Sequence, residues 1–240
     1  MGKIDIRGVK FDNVTLEEAK QRVLDFVETD GAKMVVTPNS EIVQMCIEDK
    51  KVKEVVSGGD LIIPDGIGVV YASKILGTPL KQKVAGFDLA SVLLPAMEKE
   101  GIKLFLLGGA PGVADKAAAK MKEKYPGLDI CGTNDGYFEE SGPIIQKIND
   151  SGAQVVYVCL GAPKQEKWMA QHRHSIKAKV MLGLGGSLDV FAGNVKRAPD
   201  IYIKLGLEWF YRLVKEPWRY KRRMKLPQFL FGTIVYKITK

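Results

Sequence analysis

Apolar residues fall into short runs that end in Gly or Pro, and polar, helix-favouring stretches separate them. Met34-Val35-Val36-Thr37 reads as a buried strand stopped by Pro38, with a helix from Ser40 to Lys53 after it. Asp60 to Pro64 is a second such run and leads directly to Asp65-Gly66. Lys103 to Leu107 enters Gly108-Gly109-Ala110-Pro111-Gly112, then an Ala/Lys-rich helix reaching about Tyr125. Leu128 to Gly132, Gln154 to Leu160 and Val180 to Leu184 repeat the theme, the last two ending at Gly161-Ala162-Pro163 and Gly185-Gly186. Apolar β runs that each turn into a helix predict an α/β fold with a mostly parallel sheet flanked by helices. Ile4 to Phe11, with Gly8 in a turn, predicts a small hairpin, and Thr15-Leu16-Glu17-Glu18 a capping box.

Pro199 marks a boundary between a core, residues 1–198, and a C-terminal appendage, residues 199–240. Ile203, Leu207, Phe210, Leu213 and Val214 recur at helical spacing, so Tyr202 to Lys215 is expected to be one amphipathic helix. Pro217 is expected to break it, and Pro227 to break the next segment. Composition sharpens this division. Residues 200–240 hold ten Lys/Arg against three Asp/Glu, so nearly all of the chain's net charge of +8 sits there. Trp209, Phe210, Tyr211, Trp218 and Tyr220 lie among those cations. Such a segment suits two tasks, lying on an anionic membrane surface and clamping phosphates.

No apolar run approaches the roughly 20 residues that cross a bilayer, so membrane contact is expected to be peripheral. The N-terminal Met1 to Phe11 lacks the long apolar stretch of a signal peptide. Cys46, Cys131 and Cys159 show neither pairing nor metal-ligand spacing, which fits reduced thiols in a cytoplasmic protein.

In an open parallel sheet, ligands bind beyond the C-terminal strand ends. Thr37, Asn39, Asp65, Gly108, Gly109, Asp135, Gly136, Gly161, Lys164, Gln165, Gly185, Gly186 and Asp189 fall there. The glycines admit a ligand close to the backbone, and helix N-termini after them offer free N–H groups to phosphate. Tight turns alone would also account for them. Asp65 follows an apolar strand, with Gly66 and Gly68 leaving space around it, and suits a general base. An N-cap of the helix from Ile67 to Leu76 is the competing reading. Asp189 is a candidate for ribose hydroxyls or, equally, a helix cap. A P-loop, an early Gly-x-Gly-x-x-Gly and an Asp-x-Asp pair are all missing from the sequence. His172 and His174 have no flanking acids or cysteines, so neither a metal nor a cofactor is expected. Arg212, Arg219, Arg222 and Arg223 recur at spacings that cluster guanidinium groups, able to neutralise a leaving diphosphate in a metal's place.

Thr37-Pro38-Asn39, Pro64-Asp65-Gly66, Gly161 to Glu166, Gly185 to Gly193 and Arg197-Ala198-Pro199 resemble blocks of the WecG/TagA/CpsF glycosyltransferases. Gly206 to Leu213 and Glu216-Pro217-Trp218-Arg219 resemble that family's tail. The resemblance implies a Rossmann-like fold whose appendage closes over the active site. It implies inverting, metal-free transfer from a UDP-sugar to an undecaprenyl-diphosphate-linked sugar. In the wall teichoic acid case, N-acetylmannosamine joins N-acetylglucosamine through a β-1,4 link. The family also implies other donors, carrying N-acetylmannosaminuronic acid, glucose or glucuronic acid. Carried over, Asp65 is the base, and Thr37, Asn39 and Gln165 position the sugar. Asp135, Gly136, Gly161 and Asp189 become candidates for the nucleotide, and Arg212, Arg219 and Arg222 or Arg223 for the diphosphate clamp. The implied setting is the inner face of the cell membrane. Association with a second copy through the apolar tail face stays open, and a non-catalytic anionic-lipid or nucleic-acid binding module is the alternative of another class.

Overall fold

A computed structural model describes residues 2–204, 207–215 and 225–239, with the backbone alone at Asp200, Lys204 and 212–215. The chain opens with the expected hairpin, β1 (Lys3–Ile6) against β2 (Val9–Asp12). Its turn takes positive φ at both Arg7 (55°) and Gly8 (87°), the combination that matches strand twist in tight hairpins. Helix α1 (Leu16–Val27) starts on the predicted capping box, Thr15 and Glu18 each closing on the other's backbone.

Six strands follow: β3 (Lys33–Val36), β4 (Leu61–Ile62), β5 (Leu104–Gly108), β6 (Ile130–Asn134), β7 (Val155–Cys159) and β8 (Val180–Gly183). They form one parallel sheet in the order β4-β3-β8-β7-β5-β6. Every residue of β5, β7 and β8 is buried, because helices cover both faces. One face packs α1, α5 (Gly86–Glu100), α6 (Val113–Lys124) and α9 (Ser187–Phe191). The other packs α2 (Ser40–Glu48), α3 (Lys50–Ser57), α4 (Ile67–Ile75), α7 (Ser141–Asp150) and α8 (Lys164–His172), together with the hairpin. After β5 the chain turns through α6 to β6 on one side, and after β7 through α8 to β8 on the other. The adjacent ends of β5 and β7 therefore flank a topological switch point, where such sheets open a crevice.

Three expected elements differ. The single helix from Ser40 to Lys53 is two, because Asp49 ends α2 and its carboxylate accepts from Lys51 N and Val52 N to begin α3. The helix from Tyr202 to Lys215 is also two, α10 (Asp200–Lys204) and α11 (Glu208–Lys215). Pro227 does not break a helix. It sits in the first turn of α12 (Lys225–Thr239), where a missing N–H costs nothing. The break expected at Pro217 lies outside the described residues. Helix α12 is anchored in the main core. Phe229 and Thr233 are fully buried, and the helix packs against α4 and α2.

Candidate active site

A cavity of about 1590 Å³ lies over the C-terminal strand ends. Eleven of the sequence-selected residues line it: Thr37, Asn39, Asp65, Gly109, Gly136, Gly161, Lys164, Gln165, Gly185, Gly186 and Asp189.

Asp65 sits half-buried just past β4. The N-cap position of α4 is Gly66, at φ 86°. Asp65 lines the cavity. The space expected above Gly68 is filled. A Cβ there would stand 2.4 Å from Leu226 Cδ1, so the glycine admits α12, whose Lys225 and Leu226 join the lining.

Thr37 is buried, and its hydroxyl donates to the Gly183 carbonyl at 2.8 Å. Asn39 caps α2, its Oδ1 accepting from Glu41 N and Ile42 N at 2.9 and 3.1 Å. Gln165 is 2% exposed. Its Oε1 accepts from Gly185 N at 2.9 Å and its Nε2 donates to Glu166 Oε1 at 2.8 Å. The carboxamide thus sets the Gly185-Gly186 turn from beneath. A Cβ at Gly161, Gly185 or Gly186 would meet nothing within 4 Å, so these backbones are open to a ligand.

Gly108 does not line the cavity. A Cβ there would fall 2.2 Å from the Cys159 carbonyl oxygen, so this glycine lets β5 and β7 close on each other. Asp135 is also outside the lining; its Oδ1 accepts from Tyr137 N at 2.8 Å and shapes its own turn. Lys164 crosses the crevice, donating from Nζ to the Gly136 carbonyl at 3.1 Å. Asp189 is the third residue of α9 and lines the cavity without capping the helix. Cys159 reaches the lining, and burial pushes its thiol up to about 12, which favours the protonated form. Among the described residues no group of three or more His, Cys, Asp or Glu could hold a metal ion. Arg212 lies on α11, whose Trp209 and Tyr211 line the cavity. Arg219, Arg222 and Arg223 lie outside the described residues.

Sequence reasoning missed an ionic group in the cavity lining. Arg197 faces Asp88 on α5 at 2.9 Å, Lys83 lies 3.8 Å from Glu208 of α11, and Arg197, Lys83, Phe87 and Glu208 all line the cavity. Three distant segments supply them, so no local spacing reveals the cluster. The signals were the Arg197-Ala198-Pro199 block and Glu208 within the Gly206 to Leu213 block, which stood in the sequence without a role.

A parallel, doubly covered sheet with a large cavity at its switch point is a Rossmann-like, ligand-binding architecture. The chain belongs to the glycosyl transferase WecG/TagA/CpsF family, whose profile matches residues 4–240. It is 37% identical to the N-acetylglucosaminyldiphosphoundecaprenol N-acetyl-beta-D-mannosaminyltransferase of Bacillus spizizenii, over 88% of this chain and 82% of that one. It is 34% identical to the protein of the same name from Staphylococcus aureus strain MRSA252, over 99% of this chain and 92% of the relative.

Proposed function

We propose that this protein moves N-acetylmannosamine from UDP-N-acetylmannosamine to the 4-hydroxyl of N-acetylglucosamine on undecaprenyl diphosphate, with inversion and without a metal ion, in wall teichoic acid synthesis. The observation that carries the reading is Asp65, a residue just past the end of β4 that lines the cavity. Relatives named for this reaction cover nearly the whole chain. The cavity exceeds the roughly 300–1,000 Å³ of a single small-ligand site, in keeping with a donor and an acceptor held together.

In this mechanism UDP lies in the crevice between β5 and β7, against Gly109, Gly136, Gly161 and the Gly185-Gly186 turn. Asp189 faces the ribose. Thr37 fixes the strand ends, and Asn39 and Gln165 shape the floor under the sugar. Asp65 takes the proton of the acceptor hydroxyl. The freed oxygen attacks the anomeric carbon from the face opposite UDP, forming the new C–O bond. The old bond breaks, and UDP leaves with its electron pair. Cations must meet that charge, and Arg212, Arg219 and Arg222 or Arg223 are assigned the task, since α11 already delivers Trp209 and Tyr211 to the rim.

The lipid-linked acceptor places the enzyme peripherally on the inner face of the cell membrane. Among the described residues no helix is long and apolar enough to cross a bilayer. Phe231, Ile234, Val235 and Ile238 form an exposed apolar stripe on α12, opposite the buried face of Phe229 and Thr233. Such a stripe suits lying on lipid.

Acceptor-dependent UDP release tests the reading. UDP-N-acetylmannosamine is compared with UDP-linked N-acetylmannosaminuronic acid, glucose and glucuronic acid on one short-chain, diphosphate-linked N-acetylglucosamine. Turnover with the first donor alone, undiminished by excess EDTA, is expected. Preference for another donor, or a strict need for magnesium or manganese, overturns the corresponding part.

A further inference from the structure

Glu166 lies beside Gln165 in the first turn of α8 and is 1% exposed. It takes no part in the proposed transfer. Taking a carboxyl group out of water is costly unless its hydrogen bonds are replaced, and among the described residues Oε2 has no partner. Oε1 accepts from Gln165 Nε2 at 2.8 Å. Protonated or ionised, the carboxyl keeps a lone pair for that N–H.

The other end of the Gln165 carboxamide meets the turn after β8, where Oε1 accepts from Gly185 N at 2.9 Å. Between the two contacts the amide lies on Gly183. A Cβ there would stand 3.0 Å from Nε2, so glycine makes the room. On its far side the turn closes on itself, Ser187 donating from N and Oγ to the Leu184 carbonyl at 3.2 and 2.7 Å. Gly185, Gly186, Ser187 and Asp189 all line the cavity.

These contacts demand one orientation of the amide. Turned over, Nε2 would face the Gly185 N–H, donor against donor, and Oε1 would face the Glu166 carboxyl. The oxygen and nitrogen of an amide differ little in size, so its partners set the choice and shape does not. Buried groups left without a partner are costly, and Gln165 is 2% exposed. We propose that Glu166 is a positioning residue: by holding Gln165 Nε2 it keeps Oε1 on Gly185 N, and so fixes the glycine turn that meets UDP. The inference rests on the assignment of UDP to that turn.

Hydrogen exchange of the Gly185 amide in the full-length protein is the test, with the buried amide of Val156 on β7 as reference. Glu166→Met replaces the carboxyl by an apolar chain of similar length. Gly185 exchange is then expected to quicken about tenfold relative to Val156, the size of effect that one buried hydrogen bond carries. Glu166→Gln keeps an oxygen for Gln165 and should leave the ratio near that of the parent. A merely structural role would quicken both amides together. An unchanged ratio in Glu166→Met, or an equal change in Glu166→Gln, overturns the proposal. Should Glu166→Met not fold, Glu166→Asp, whose oxygens stop one methylene short, is read in the same way. UDP affinity, measured by calorimetry, is expected to fall in Glu166→Met and to return in Glu166→Gln. Altered exchange with unaltered affinity would leave the bond network standing and refute the assignment of UDP to the turn.

Discussion

The hydroxyl of Thr37 donates to the carbonyl of Gly183 at 2.8 Å, across 146 positions of sequence. This bond joins the C-terminal end of β3 to that of β8 beneath the cavity floor. Thr37 is 5% exposed, so its contribution to the site runs through the position of both strand ends. Gly86 crowds it from below, since a Cβ there would lie 3.1 Å from Thr37 Cγ2.

Removing that bond should loosen both strand ends. Thr37→Val keeps the shape and deletes the donor, with an expected cost of about 1–3 kcal/mol for a buried pair left half made. Urea denaturation should show that loss, and turnover should fall with it. Thr37→Ser keeps the hydroxyl and should restore most of both. A Val variant as stable and as active as the parent would mean that the bond positions nothing.

Asp65→Asn should nearly abolish transfer, by roughly 10²–10⁴-fold if the base is lost. UDP binding and melting temperature should change little if Asp65 serves the reaction and not the start of α4. A stability loss near 1 kcal/mol with normal turnover is the signature of a cap, and would mean that Asp65 closes α4 and is not the base.

Much of the site was legible in the sequence, for a physical reason. A parallel strand buried on both faces reads as an unbroken apolar run, and its end announces where a ligand can lie. Asp65, Gly161 and Gly185 were found that way. The Thr37 and Gln165 bonds were not, because each joins residues far apart in the chain. The split at Asp49 escaped notice since its flanks, Ser40 to Glu48 and Lys50 to Ser57, share one helical pattern; only the carboxylate's reach to Lys51 N and Val52 N marks the corner. Pro227 was misread because a proline interrupts a helix interior but suits a first turn. Arg197 and Glu208 sat in recognisable blocks, yet their partners, Asp88 and Lys83, lie more than a hundred positions away in the chain.

Glu166 offers a test by pH. It is 1% exposed, and among the described residues its Oε2 has no hydrogen-bond partner. Burial raises its pKa above the ordinary 4.5, only partly opposed by the bond from Gln165. A raised carboxyl pKa means that the folded state holds the proton more tightly than the unfolded state. Stability is then greatest below pH 4.5 and declines as pH rises through the folded value. Glu166→Gln keeps an oxygen for Gln165 and cannot ionise. Its stability relative to the parent should therefore climb from pH 4.5 upward and level off above the folded pKa. A difference that stays constant from pH 4 to 8 in urea denaturation would show that Glu166 does not titrate there.

Helix α12 presents two faces with opposite expected responses. Phe229 is fully buried against the core, and Phe229→Ala should cost about 3–5 kcal/mol, as for other buried aromatics. Phe231 and Ile238 are 70% and 78% exposed on the other side. Phe231→Glu and Ile238→Glu should leave the melting temperature nearly unchanged, since neither side chain fills a core position. They should instead reduce sedimentation with vesicles containing phosphatidylglycerol, by removing apolar area that would enter the headgroup boundary and adding charge repelled by the anionic lipid. Turnover on a short, water-soluble acceptor should stay near that of the parent, because neither residue lines the cavity. Vesicle binding unaffected by both changes together would mean that this face of α12 does not meet the membrane.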